Sequence, residues 1–160
     1  MDNILFQGGI LHKTRRHLPH WTIERATYFI TFGTENAGLT PEEQQLTLSH
    51  ILEGDGEFYV LIAVIVMPDH VHLLLNPKKP YSLDRIMKGM KGVTAHQINE
   101  LRRSAGAVWE HESYDRIVRN RTELLRFFNY ILLNSQKRGL CEDPWQYPYW
   151  YGNLDALSNL

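Results

Sequence analysis

The sequence predicts a single α+β domain in which helices pack on one face of an antiparallel sheet. The 160 residues, 43% of them hydrophobic, are enough for one hydrophobic core and too few for two ordinary domains. Segments with strand-like and helix-like patterns follow one another in the order strand, helix, strand, strand, helix, strand, helix. A short turn around Pro68 separates the two consecutive strands, so we expect them to form an antiparallel hairpin.

Four segments have the β-branched and aromatic composition of strands. Residues 26–34 form the first, and residues 58–66 form a continuous apolar run that is typical of a central strand buried on both faces. Residues 70–76 follow the turn as its partner strand, and residues 108–118 contain a short strand late in the chain. Together these segments supply the predicted sheet.

Three segments have the signals of helices. Thr40 is a suitable N-cap, and Pro41 stands at the first position of the helix that follows. Ser82 is a suitable N-cap for a long helix over residues 83–103, and a last helix runs over residues 122–137. This order of elements predicts a ferredoxin-like α+β fold that ends in a C-terminal helix.

The chain divides into three parts of different expected structure. Residues 1–9 contain the sequence LFQG, which looks like the remains of a protease cleavage site and is left out of the predicted fold. Residues 10–140 form the single domain. Residues 141–160 are rich in proline and aromatic residues without periodicity, so we expect an irregular arm that packs over the surface.

The expected location of the protein is the cytoplasm. Cys141 is the only cysteine, so an internal disulfide is impossible and a reducing compartment is the simplest one. No apolar run is long enough to cross a bilayer. The N-terminus lacks the charged and then apolar pattern of a secretory signal.

The net charge of −1 argues against a general nucleic-acid-binding protein, which is usually basic. The charges are unevenly distributed, however, and the acids concentrate in residues 42–57. Basic residues cluster at Lys13, Arg15, Arg16 and His17, and again at Arg116, Arg119, Arg121 and Arg126. Such asymmetry allows a local basic groove on a neutral protein, although solvated surface arginines give the same pattern.

The first candidate site is the His70-Val71-His72 segment. In a strand, residues two apart point to the same face and lie roughly 6.5–7 Å apart, so two imidazoles can converge on one metal ion. The pair can equally be incidental, since zinc would want a third ligand and no further Cys or His has a recognisable spacing. Asp69 precedes the pair and either orients His70 or caps the turn.

The second candidate site is the pair Tyr130 and Asn134 on the last helix. They are four residues apart and therefore share one face of that helix. This face is polar within an otherwise apolar segment. A core tyrosine and a helix-terminal asparagine would explain the pair without any function.

These pairs occur in a chain that resembles a known family. The segment VIVMPDHVHLLL at 64–75 is similar to the signature of the HUH single-tyrosine transposases, in particular the REP-associated tyrosine transposases. Further segments resemble parts of this family in the same order along the chain: RRHLPHW at 15–21, YFITF at 28–32, YDRIVR at 114–119, YILLN at 130–134 and KRGL at 137–140. The resemblance extends from Arg15 to Leu140.

The resemblance implies metal-dependent cleavage of single-stranded DNA, followed by strand transfer. It makes His70, His72 and Asn134 ligands of a divalent ion, Mg²⁺ or Mn²⁺, and it makes Tyr130 the nucleophile. The ion would draw negative charge from the attacked phosphate. The tyrosine would keep the bond energy in a 5′-phosphotyrosine, which a free 3′-hydroxyl can later attack.

The resemblance also implies the partner, which is single-stranded or hairpin DNA. The family binds imperfect hairpins at the ends of repeated extragenic palindromes. Some proteins of the class exchange catalytic helices within a homodimer, whereas REP-associated members can act as monomers. The side chains expected to contact DNA are Arg15, Arg16, Trp21, Lys88, Lys91, Arg116 and Arg119.

Two positions depart from the family pattern. Ser135 stands where the family often has proline after the asparagine, and Gly33 stands where an arginine often continues the first strand. Three alternatives stay open beside this interpretation: an idle descendant that only binds hairpin nucleic acid, an unrelated ferredoxin-like protein with incidental histidines, and a replication initiator or relaxase of the wider HUH class. The short chain without a helicase-like region argues against the last.

Overall fold

The computed structural model describes residues 26–159. Five strands form one antiparallel sheet: β1 (Tyr28–Gly33), β2 (Tyr59–Val66), β3 (His70–Pro77), β4 (Tyr114–Ile117) and β5 (Trp150–Gly152). Their order across the sheet is β4-β1-β3-β2-β5. The predicted α+β class with an antiparallel sheet is confirmed.

The strand β3 lies in the middle of the sheet, between β1 and β2. Its register with β1 places His72 opposite Thr31, and the register of β1 with β4 places Thr31 opposite Tyr114. Directly opposed residues of antiparallel strands point to the same face. Tyr114, Thr31 and His72 therefore form a row across three strands.

The helices are α1 (Pro41–Gly54), α2 (Leu83–Arg102), α3 (Arg121–Lys137) and α4 (Leu154–Ser158). Side chains cap the three long helices at their first turns. Thr40 accepts a hydrogen bond from the backbone N–H of Glu43, whose carboxylate accepts one from the N–H of Thr40. Ser82 caps α2, and Asn120 caps α3.

The helices cover both faces of the sheet, which corrects the prediction that they pack on one face. α1 and α2 pack over a core that includes Ile51, Leu73 and Ile98, whereas α3 packs over a core on the opposite face that includes Leu74 and Phe128. The cause lies in β2, where all but one residue is buried. A strand that is apolar on both sides needs a cover on both sides.

The C-terminal residues 141–159 are more regular than the irregular arm that the sequence predicted. Pro144–Gln146 forms a 3₁₀ turn, β5 pairs with β2 at one edge of the sheet, and α4 follows. A strand of three residues is too short for alternation to show in the sequence. Within the described residues, no helix is long and apolar enough to cross a membrane.

Candidate active site

His70 and His72 lie on the face of the sheet that α3 covers. Their ring centroids are 4.5 Å apart. Val71, between them, points the other way and is fully buried in the core under α1 and α2. Strand periodicity therefore brings the two imidazoles together, with His72 buried and His70 half-buried where the strand begins.

One ring nitrogen of each histidine is held by a neighbouring side chain. Nδ1 of His72 lies 2.7 Å from Oγ1 of Thr31, and Nδ1 of His70 lies 2.6 Å from Oδ1 of Asp69. Arg138 donates a hydrogen bond to the other oxygen of the Asp69 carboxylate, at 3.3 Å. The Nε2 atoms are therefore the ring nitrogens left for a ligand, and Asp69 occupies the position of an orienting residue.

The surroundings of the two histidines set the charge of the site. Burial lowers the pKa of His72 to about 3, with a further contribution from His70 that outweighs the opposing effect of Asp69. His72 is therefore neutral at physiological pH, which is the form that binds metals. Partial burial raises the pKa of Asp69, but hydrogen bonds with His70 and Arg138 prevail and hold it below its usual value.

Tyr130 and Asn134 lie one turn apart on α3, as their spacing predicts. The ring centroid of Tyr130 is 5.1 Å from that of His72 in the same chain and 5.9 Å from that of Phe29. Tyr130 is 42% exposed, whereas Phe128 and Ile131 beside it are fully buried. Tyr130 is therefore a residue of the site surface and does not belong to the core.

The side chain of Asn134 is buried, and its Oδ1 accepts no hydrogen bond within the described part of the chain. Leaving such an atom unpaired costs about 1–3 kcal/mol. An amide oxygen is a ligand that a hard divalent cation accepts, and Mn²⁺ also accepts imidazole. The unpaired oxygen of Asn134 and the Nε2 atoms of His70 and His72 therefore fit the metal ion that the resemblance implies.

A site made only from histidine, cysteine and carboxylate ligands does not arise among residues 26–159. No group of three such side chains in this range could hold a metal ion. A third protein ligand beside the two histidines would therefore have to come from another residue type, and Asn134 has the required oxygen.

The residues predicted to contact DNA are dispersed. Arg15, Arg16 and Trp21 lie outside the described residues. Lys88 and Lys91 lie on α2, which packs on the face of the sheet opposite to His72. The structure therefore does not bring these two lysines together with the histidines.

Two of the predicted cations, Lys91 and Arg116, donate side-chain hydrogen bonds within the protein. Lys91 donates hydrogen bonds to the backbone carbonyls of residues 110 and 111, at 2.7 and 3.2 Å. Arg116 pairs with Glu123 at 2.6 Å, and the same carboxylate accepts a hydrogen bond from the backbone N–H of Arg119. Lys91 thus supports a loop, while Glu123 ties the segment after β4 to the start of α3.

A depression of about 430 Å³ opens beside Tyr130. It is lined by Phe29, Thr31, His72, Tyr114, Arg126, Phe127 and Tyr130. Sequence reasoning missed the part that Phe29, Thr31 and Phe127 have in this surface. Alternation along β1 was visible in the sequence, but the register that sets Thr31 against His72 was not.

The family of the chain follows from a sequence comparison. The sequence model of the IS200-like transposases matches residues 43–131, more than half of the chain. The chain belongs to this family. The matched range contains His70, His72 and Tyr130 and ends before Asn134. This transposase is therefore an enzyme of a DNA-cleaving and DNA-joining family, which generally uses a divalent metal ion, and the predicted resemblance is confirmed.

A solved transposase structure has the same fold. The transposase is similar to a REP-associated tyrosine transposase bound to a REP hairpin, with a TM-score of 0.68 and 19% identity over 88% of this chain and 82% of that chain. A candidate transposase from Deinococcus radiodurans R1 has 23% identity and a TM-score of 0.48, over 68% of this chain and 86% of that chain. Among curated proteins, none matches the sequence significantly.

Proposed function

We propose that this transposase cleaves single-stranded DNA and transfers the cut strand through a 5′-phosphotyrosine on Tyr130, with hairpin DNA as its substrate. The observation that carries the proposal is the position of Tyr130, whose exposed ring stands beside the buried His72 of the same chain. A nucleophile must be open to a phosphate on one side, and it must adjoin the groups that stabilise the transition state. Tyr130 meets both requirements.

The proposed reaction exchanges one phosphodiester bond for another. The hydroxyl oxygen of Tyr130 forms a bond to phosphorus while the bond from phosphorus to the 3′-oxygen of the preceding nucleotide breaks. The tyrosine loses a proton and the departing 3′-oxygen gains one. Because the phosphate is never transferred to water, a 3′-hydroxyl can attack the phosphotyrosine in the reverse direction and release Tyr130 with the strands joined.

His70, His72 and Asn134 are the proposed ligands of Mg²⁺ or Mn²⁺. When bound, such an ion stabilises the negative charge that builds up on the phosphate oxygens. The chain itself orients the ligands. Thr31 and Asp69 hold the Nδ1 atoms of the two imidazoles, so each ring keeps its Nε2 available for the ion.

Hairpin DNA is proposed as the substrate because the solved transposase with the same fold is bound to a REP hairpin. The proposed nucleophile and the proposed ligands all lie in one chain, so a homodimer is not needed to complete the site. A DNA substrate inside the cell and the single cysteine, Cys141, both support a cytoplasmic location.

The Tyr130→Phe variant tests the proposal. We expect it to form no covalent protein–DNA adduct with hairpin oligonucleotides in the presence of Mn²⁺, because the attacking oxygen is missing. Hairpin binding should stay within about twofold, since the ring is retained. Denaturing gel electrophoresis detects the adduct, and fluorescence anisotropy measures the binding.

Tyr81→Phe is the matched control for this experiment. It removes a hydroxyl from a tyrosine that packs against the core under α1 and α2, and it should form adducts like the wild type. Adducts that persist in Tyr130→Phe would refute the assignment of the nucleophile. A wild-type protein that binds hairpins without ever forming adducts would instead be the idle binding protein.

A further inference from the structure

We propose that the depression beside Tyr130 is a nucleobase pocket, which stacks the base next to the phosphate that Tyr130 attacks. This inference rests on the proposed function for the position of that phosphate. The pocket shares two of its lining residues, His72 and Tyr130, with the proposed catalytic site. A DNA strand whose phosphate lies at Tyr130 therefore has a neighbouring base within reach of the depression.

The floor of the pocket is aromatic. The rings of Phe29 and Phe127 stack with their centroids 4.4 Å apart and 13° between their planes, and Phe29 also stacks on His72 at 5.5 Å. Phe29 is buried, whereas Phe127 is only half-buried and lines the pocket, with the guanidinium of Arg116 over its ring at 5.7 Å from the centroid. Proteins that bind single-stranded nucleic acids stack bases on aromatic side chains presented in this way.

Tyr114 forms the outer wall of the pocket. It opposes Thr31, which in turn opposes His72, so its side chain stands on the same face as the proposed catalytic site, two strands away. Two strand spacings correspond to roughly 10 Å. Tyr114 is 57% exposed and belongs to neither hydrophobic core, so core packing does not account for this aromatic residue.

Arg126 adds positive charge at the rim. It lies on α3 one turn before Tyr130, and its side chain is 67% exposed. Among residues 26–159 its only ion-pair partner is Glu123, at 3.7 Å, and the same carboxylate is already bound more closely by Arg116, at 2.6 Å. The guanidinium of Arg126 therefore keeps most of its capacity for a backbone phosphate.

A nucleobase of single-stranded DNA matches this combination better than an apolar side chain of a protein partner. A base has a flat π-face for Tyr114, and it always comes with an anionic phosphate, which Arg126 can bind. Stacking is tolerant of base identity. We therefore expect the pocket to contribute affinity for unpaired DNA and little sequence preference.

Photocrosslinking tests where the base lies. The Tyr130→Phe protein is mixed with single-stranded 20-mers of thymidine that carry one 5-iododeoxyuridine, irradiated, and analysed by peptide mass spectrometry. We expect crosslinks at Tyr114 or Phe127. Crosslinks found only at other residues would overturn the proposal.

Affinity measurements with two probes test what the pocket contributes. In the same Tyr130→Phe background, Tyr114→Ala should weaken binding of (dT)₂₀ about tenfold and leave binding of an abasic 20-mer unchanged, because only the first probe has bases to stack. Tyr114→Phe keeps the ring and should keep the affinity. Ile117→Ala is the matched control, since Ile117 is also exposed on β4 but opposes Tyr28 and so points to the other face.

The outcomes separate this proposal from the proposed function. If Tyr114→Ala weakens the binding of (dT)₂₀ and of the abasic 20-mer equally, or weakens neither, the pocket is refuted. If proteins that retain Tyr130 form adducts while no crosslink reaches Tyr114 or Phe127, the pocket fails and the nucleophile stands. If crosslinks reach the pocket but no protein that retains Tyr130 forms adducts, the pocket stands and the assignment of the nucleophile fails.

Discussion

At Asn134, a buried amide oxygen that has no hydrogen-bond partner within residues 26–159 adjoins the turn of α3 that carries Tyr130. The imidazole of His72 is neutral at physiological pH, and its Nε2 is the ring nitrogen left for a ligand. Three neutral ligands would leave the full positive charge of a divalent ion to act on the phosphate. Such a ligand set would therefore suit the proposed phosphodiester chemistry.

His70→Ala should abolish Mn²⁺-dependent cleavage and leave the fold intact. His70 is half-buried and belongs to neither hydrophobic core, so its removal should change the melting temperature by no more than a few degrees. Adduct formation and thermal unfolding measure the two effects. His96→Ala, which removes an exposed histidine from α2, serves as the control. Unchanged cleavage in His70→Ala would contradict the proposed metal site.

Thr31→Val tests whether the hydroxyl orients His72. Valine has a similar shape but cannot bond Nδ1, so we expect Mn²⁺ to bind about tenfold more weakly. Isothermal titration calorimetry measures this affinity without DNA. Thr31→Ser should restore most of it, because the hydroxyl returns. An equal affinity in the valine variant would show that Thr31 does not position the ligand.

Among the elements, those that carry the proposed site were the easiest to predict. Residues 70–76 and 122–137 were expected as strand and helix, and they are observed as His70–Pro77 and Arg121–Lys137. Asn120 caps the start of α3, and Gly139 follows the helix at a positive φ of 71°. Local periodicity was sufficient because each pair of candidate residues lies within one element.

Features that depend on how elements meet were not predictable in the same way. The bond from Thr31 to His72 depends on the register of β1 against β3, and their sequences do not encode that register locally. The face of the sheet on which α3 packs depends on which side of β2 the other helices leave uncovered. The three residues of β5 are too few to show a periodicity, and the strand is defined by its pairing with the edge of β2.

The contact between α1 and α2 should make stability depend on pH. Hydrogen bonds from Arg102, at 2.7 and 2.8 Å, lower the pKa of Glu43 against the opposing effect of burial, with help from the N–H of Thr40. A carboxyl whose pKa is lowered by folding stabilises the protein above its unfolded pKa of about 4.3, and this contribution disappears as the pH falls.

Glu43→Gln should therefore cost about 1–3 kcal/mol at pH 7 and make unfolding less sensitive to acid between pH 5 and 3. Urea unfolding at a series of pH values measures both effects. Gln45→Glu, a change on the exposed side of α1, is the control for altered charge. A variant that keeps the full acid sensitivity of the wild type would show that Glu43 is not its source.

Across the whole molecule, the two faces of the sheet differ in what they carry. The face under α1 and α2 holds the larger core, and the face under α3 holds the histidines, Tyr130 and the pocket. Since Tyr130 and His72 meet within one chain, one protomer should be sufficient for the reaction.

Mixing two inactive variants tests this arrangement. If helices were exchanged within a homodimer, a mixture of Tyr130→Phe and His70→Ala would contain some intact composite sites and recover part of the activity. We expect no recovery in an adduct assay, even at high protein concentration. Measurable recovery would mean that Tyr130 acts on the histidines of another chain.

The strands that flank α3 along the chain stand at the two outer edges of the sheet, β4 at one and β5 at the other. The chain is therefore held in the sheet both before and after α3. If DNA becomes attached to Tyr130 as proposed, we expect the attached end to stay at this site and not to move with the helix to a distant partner. The second DNA end would have to travel to the tyrosine, and the order of events in transposition would then be set by the movement of DNA rather than of protein.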